Sequence, residues 1–140
     1  MRGYNWVMEN RVSETDSTGL QAIARRTVSA PIEPVWDYLI GRGLPQWLGE
    51  TVLGNKGESY ETADGVHGVV RSFHALDRLR VTWQRPGDAH DSTVEVAVTP
   101  GATGTTITFT HERLADAAEQ KRMQKHWADV AVHVSESLLG

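Results

Sequence analysis

The sequence has no cysteine, which excludes disulfides, thiolate nucleophiles and cysteine-based zinc or iron–sulfur centres. It has no apolar run near the roughly 20 residues of a membrane span, and its first residues lack the apolar stretch of a secretory signal. Membrane insertion is therefore not expected, and a cytoplasmic location is. Positive charge is also scarce: 14 Lys and Arg stand against 18 Asp and Glu, a net charge of −4 at pH 7. That balance does not supply the field that nucleic acid or an anionic membrane surface demands. The chain contains no GxSxG and no GxxxxGK[ST], and no GxGxxG follows a strand pattern. Its six histidines form no HxxxH pair and no two-residue spacing on a strand, so neither a metal nor a cofactor is expected.

Against these absences stand five tryptophans, at positions 6, 36, 47, 83 and 127, in 140 residues. The length suits one domain of the usual ~100–150 residues, large enough for a substantial core. Residues 1–19 have a polar second half and no sustained period, which reads as an N-terminal arm; residues 20–140 read as a single domain. Leu20 to Ala30 offers a partly alternating strand. Pro31 and Pro34 suit a first helical turn, and Ile32, Val35, Trp36 and Leu39 share one helical face. That helix must stop by Gly41-Arg42-Gly43, and Leu44 to Leu48 can add one more turn before Gly49.

From Lys56 to His111 the period changes to two. Asp64-Gly65 is the dipeptide a type I′ hairpin favours. Further breaks fall near Asp77, at residues 86–90 and at residues 100–104. Between them Leu79, Val81 and Trp83, then Val94, Val96 and Val98, then Ile107, Phe109 and His111 occupy alternate positions, as in one-sided antiparallel strands. In the run after Gly68 the phase is ambiguous: Val70 facing inward would take Ser72 and His74 with it, whereas a phase set by Val69 and Phe73 turns His74 out, and a bulge near Ala75 could reconcile the two. After Asp116 and Glu119, a capping-box pair, Met123, Trp127, Val130, Ala131, Val134 and Leu138 form one helical stripe. A helix of about 23 residues would span roughly 35 Å. Only the inner face of a curled sheet matches that length.

The pattern resembles the helix-grip fold of the START-like, birch-pollen-allergen-like (SRPBCC) superfamily. Ala30-Pro31-Ile32-Glu33-Pro34-Val35-Trp36, Trp47-Leu48-Gly49, Asp64-Gly65 with Gly68-Val69-Val70, Arg78 to Trp83, Gly104 to His111, and His126-Trp127 resemble, in order, motifs of the activator of heat-shock-protein-90 ATPase homologues. In the last motif His126 stands where the family has glycine. The resemblance covers about residues 22 to 139. It implies an α+β fold, a curved antiparallel sheet of about six strands around a long C-terminal helix with two short helices after the first strand. It also implies a cavity for small apolar molecules between sheet and helix. Members of the superfamily include lipid binders, polyketide cyclases, stress-induced proteins and a chaperone-binding domain.

Trp83, Phe109 and Trp127 point toward the space between sheet and helix, whether as core or as the wall of a pocket. Trp47, on a short segment between Pro45 and Gly49, could close its mouth, and Tyr60 could add a phenol to its rim. Trp36 reads as helix packing. His111 is the one catalytic candidate: its phase places it inside, where it would bond a ligand, act as acid or base, or simply be satisfied by neighbours. Arg78, Arg80 and Arg85 read as a small basic patch on the outward phase. The preferred function is binding of a small hydrophobic, lipid- or polyketide-like ligand by a monomer or homodimer, lined by Trp47, Tyr60, Trp83, Phe109, His111 and Trp127. The alternatives are a cyclase- or hydratase-type enzyme using His111, and a chaperone ATPase regulator or stress-response protein.

Overall fold

The computed structural model describes residues 20–139. The expected N-terminal arm, with Trp6, lies outside them. The elements run β1 (Gln21–Val28), α1 (Ile32–Ile40), α2 (Leu44–Trp47), β2 (Ser59–Glu61), β3 (His67–His74), β4 (Arg78–Trp83), β5 (Ser92–Gly101), β6 (Gly104–Glu112) and α3 (Ala117–Leu139). The six strands form one antiparallel sheet in the order β1-β6-β5-β4-β3-β2. This is the expected helix-grip arrangement. β2 to β6 form a meander, and β1 closes it by pairing with β6, the last strand. At that closure β6 passes so near the end of β1 that a Cβ on Gly104 would lie 1.9 Å from the Val28 carbonyl. Only glycine fits there.

Each helix buries the face its sequence marks. In α1, Val35, Trp36 and Leu39 are buried, and Trp36 meets Phe73 of β3 edge-on with ring centroids 6.0 Å apart. In α3, Met123, Trp127, Val130, Ala131 and Val134 are buried against the sheet. Its start is capped by Asp116, which accepts from the Glu119 backbone N–H at 2.8 Å, while the Glu119 carboxylate reaches back to the Ala115 N–H at 2.7 Å. One side of α3 also covers the outer edge of β1: the Gln124 amide bonds both the N–H and the C=O of Ile23, and Gln120 donates to the Gln21 carbonyl. These bonds satisfy outer backbone groups in the first half of an edge strand, where they would otherwise be open to pairing.

Three local expectations are corrected. The hairpin at Asp64-Gly65 forms, but not as a type I′ turn. Gly65 has φ 97° while Asp64 does not enter the positive-φ region. Thr62 and Val66 bond across a three-residue loop, with the Gly65 N–H on the Thr62 carbonyl, the geometry of a type I turn followed by a left-handed glycine. The bulge in β3 lies between Val70 and Ser72 rather than near Ala75. The extra residue reverses the phase, so Val70 is buried and Phe73 still packs on Trp36, leaving His74 exposed. Finally, the three arginines do not form one basic patch. Arg80 bridges Glu95 and Glu112 on the outer face, whereas Arg85 lies beyond the end of β4, with its guanidinium 5.3 Å from the centre of the Trp83 ring. Counted in alternation from Leu79, Val81 and Trp83, Arg85 belongs to their phase and not to that of Arg78 and Arg80.

Candidate functional site

The concave face collects its aromatic side chains where β4, β5 and β6 pass beneath the middle of α3. Phe109 and His111 are two residues apart on β6 and so share that face; Trp83 is the last residue of β4, and Trp127 hangs from the centre of the α3 stripe. Phe109 and Trp127 stack at 5.3 Å with their planes 20° apart. Trp83 meets the His111 ring edge-on at 4.8 Å, and Trp127 meets it edge-on at 6.0 Å. Trp47 enters from α2 and lies 6.0 Å from Phe109, its indole N–H donating to the Leu39 carbonyl at 2.8 Å. All five are buried, and Phe109, His111 and Trp127 are wholly inaccessible to solvent. They are brought together, and they touch one another.

His111 is the polar centre of the cluster. Its Nδ1 lies 3.1 Å from the indole nitrogen of Trp127, and its Nε2 lies 2.7 Å from Ser92 Oγ. An indole nitrogen can only donate, so Nδ1 must be the acceptor and the imidazole proton must sit on Nε2. Nε2–H then donates to Ser92 Oγ, and the Ser92 hydroxyl in turn donates to the Trp83 carbonyl at 3.1 Å. Every polar atom along this series from Trp127 to the Trp83 carbonyl has a partner, as buried groups require. Burial lowers the pKa of His111 to about 4, helped by the nearby charges of His126 and Arg85 and opposed by Asp88. Protonation would also place a hydrogen on Nδ1 directly facing the Trp127 N–H.

The Ser92–His111 contact has the spacing of a nucleophile and its base, but the proton runs from imidazole to hydroxyl. In this arrangement His111 is neutral, with neither nitrogen free. The chemistry it offers is orientation: it holds Trp83, Trp127 and β5 in fixed relation.

Tyr60 is placed elsewhere. From β2 it reaches across Gly68 of β3, and its hydroxyl donates to the Thr82 carbonyl of β4 at 2.6 Å. Burial raises its pKa well above the usual phenol value. Gly68 is what permits this crossing, because a Cβ there would lie 2.0 Å from the Thr82 carbonyl oxygen. Tyr60 lines an open depression of about 510 Å³ with Ser59, Glu61, His67, Gln84 and Asp91. A second, of about 490 Å³, runs beside Gln120, Lys121, Gln124, Lys125 and Ala128 of α3. Neither contains a residue of the aromatic cluster. Among the described residues no group of three or more His, Asp or Glu is placed to hold a metal ion, and no helix is long and apolar enough to cross a membrane.

Two members of the site escaped the sequence reading. Ser92 is in phase with Val94, Val96 and Val98 and in register with Trp83, so a polar residue on the inward phase of β5 was the available signal. Arg85 was obscured by its arginine neighbours at 78 and 80.

The family described as activator of Hsp90 ATPase homolog 1-like protein matches residues 29–134. Comparison with curated proteins finds no match. Among solved structures, DynU16 of the dynemicin biosynthetic locus superposes with a TM-score of 0.75 at 24% identity, over 85% of this chain and 47% of that one. The chain thus spans about half the length of DynU16. CalU16 from Micromonospora echinospora gives 0.71 at 18% identity, over 86% of this chain and 80% of that one. The Aha1 dimer from Colwellia psychrerythraea gives 0.70 at 14%, over 84% and 95%. At such identities these likenesses speak to the fold alone.

Proposed function

Because the chain belongs to the activator of Hsp90 ATPase homolog 1-like family, within the SRPBCC superfamily, we propose that it binds a small, mostly apolar molecule of lipid or polyketide type between the sheet and α3. The observation that carries this reading is the makeup of the concave face: Trp47, Trp83, Phe109 and Trp127 converge around one polar pair, His111 and Ser92. A mainly aromatic lining with a few placed polar groups is the usual composition of a ligand pocket. Since Phe109, His111 and Trp127 are wholly buried among these contacts, a ligand that reaches them displaces part of the cluster. Binding of that kind carries the population penalty of the open form.

Binding is favoured over proton-transfer catalysis because both His111 nitrogens are engaged and its pKa is lowered to about 4, far from the range in which an imidazole shuttles protons at neutral pH. Chaperone regulation draws on the family name and on the Aha1 neighbour's fold, and no residue described above favours it. A cytoplasmic location belongs to the same reading, and with no cysteine the fold needs no disulfide chemistry. Native mass spectrometry and tryptophan fluorescence against a panel of fatty acids and aromatic polyketides test the reading. Saturable binding of one class, with the signal of an interior tryptophan changing, is expected. A panel that leaves Trp47, Trp83 and Trp127 unperturbed would sink it.

A further inference from the structure

We infer that the Trp47 indole is a built-in occupant of the ligand space, displaced by a planar aromatic molecule that carries a hydrogen-bond donor on its edge, such as a phenol or an indole. The inference rests on the binding role proposed above and names the chemistry of what is bound. Trp47 has two attachments in the interior: its ring lies 6.0 Å from Phe109, and its N–H donates to the Leu39 carbonyl. Withdrawing it uncovers the part of Phe109 that the tilted Trp47 ring meets and leaves one buried carbonyl without a donor. An aromatic ring with a single edge O–H or N–H restores both, whereas a bare hydrocarbon leaves the carbonyl unpaired, which is costly inside a protein.

The segment carrying Trp47 is suited to such a movement. α2 has four residues, and the backbone hydrogen bonds around it, from Gly43 to Gly49, all stay within residues 38–49. Its polar tie to α3 is one solvent-exposed hydrogen bond, Gln46 Nε2 to Ser137 Oγ at 2.7 Å. Leu44 and Leu48 are buried beside Trp47, but among the described residues no backbone bond ties the segment to the sheet or to α3, so it separates without breaking a strand ladder. By contrast, His111, Ser92 and Trp127 are locked by bonds between distant elements, so the interior face that receives the ligand stays in place while α2 withdraws.

The test uses the whole chain, with tryptophan side chains labelled for NMR and the Trp47 indole signal assigned through Trp47→Phe. Three results are expected. Titration with 2-naphthol shifts the Trp47 N–H resonance as it leaves Leu39, and the Trp127 N–H stays bonded to His111. Naphthalene, lacking the donor, binds about five- to tenfold more weakly. Gln46→Ala, which removes the tie to Ser137, tightens 2-naphthol about three- to tenfold by favouring the withdrawn form. Equal binding of the two probes, or no effect of Gln46→Ala, overturns the inference. If the Trp127 resonance moves while Trp47 does not, the ligand enters without displacing Trp47, and this inference falls while the binding role stands. If neither moves with 2-naphthol or with any lipid or polyketide of the panel, both fall.

Discussion

The indole N–H of Trp127, at the centre of α3, donates across 3.1 Å to Nδ1 of His111, on β6. This one bond sets the tautomer of the imidazole and through it the direction of the chain that continues to Ser92 and the Trp83 carbonyl. It also ties the long helix to the sheet at the deepest point of the core. Replacing the donor is therefore the most direct probe of the arrangement. Trp127→Phe keeps an aromatic ring against Phe109 but leaves Nδ1 without a partner, and is expected to cost about 2–3 kcal/mol in urea unfolding at pH 7. NMR titration of the same variant should find the His111 pKa above the wild-type value, because nothing then faces a proton on Nδ1. An unchanged titration would mean that burial alone holds the imidazole neutral.

The lowered pKa of His111 predicts a pH dependence with a definite sign. In the unfolded chain the imidazole takes a proton near its ordinary 6.5; in the folded protein it does so at about 4. Between these values the unfolded state binds more protons, so stability falls as pH drops from about 6.5 to about 4. At pH 5 the loss relative to pH 7 is about 2 kcal/mol from this group. Carboxylates also titrate near this range, so the measurement is a difference: His111→Gln, itself less stable at pH 7, should lose about 2 kcal/mol less than wild type on going to pH 5. Parallel losses would show that His111 contributes nothing to the acid response.

Ser92→Ala removes the acceptor of the His111 Nε2–H and the donor to the Trp83 carbonyl in one step. The expected cost is about 2 kcal/mol by chemical denaturation, with the His111 ring signals broadened or shifted. Ser92→Thr keeps the hydroxyl and should retain the imidazole signals if its methyl is accommodated. A neutral Ser92→Ala would point to a water that replaces the hydroxyl.

Gly68 is the point where the Tyr60 side chain crosses from β2 to β4. A methyl group there would meet the Thr82 carbonyl oxygen at 2.0 Å, a contact with backbone that cannot swing aside. Gly68→Ala is expected to destabilise the fold by about 3 kcal/mol and to free the Tyr60 hydroxyl. Thermal unfolding gives the first and tyrosine absorbance titration the second, with the phenol pKa falling toward its ordinary value. Gly57→Ala is the control: no atom lies within 4 Å of the added carbon, though its φ of 93° predicts a smaller loss of about 1 kcal/mol.

On the outer face, Arg80 lies between Glu95 and Glu112 and is about one-third exposed. Its pKa is raised by these carboxylates against the lowering effect of burial, the largest single influence on it. Arg80→Met should cost about 1 kcal/mol at low salt and less at high salt, since it leaves two carboxylates facing each other where solvent screens them only partly. A salt-independent cost would assign the effect to packing of the side-chain stem.

Which residues face inward was legible in the chain itself. A strand with one buried face must alternate, and a helix with one buried stripe must repeat near 3.6; hence Leu79, Val81 and Trp83, Ile107, Phe109 and His111, and the stripe from Met123 to Val134 are all where their periods place them. The long helix and the meander followed from the same rule, and together with six motifs in order they identified the helix-grip fold. What periodicity could not reach was any property set by register between distant elements. The bulge after Val70, the reach of Tyr60 across Gly68, and above all the proton order from Trp127 through His111 to Ser92 depend on which atoms of separate strands and helices come into contact. Alternation says that a histidine points inward; only the packed structure decides that both its nitrogens are already taken, because the partner of a hydrogen bond is set by tertiary contact and not by distance along the sequence.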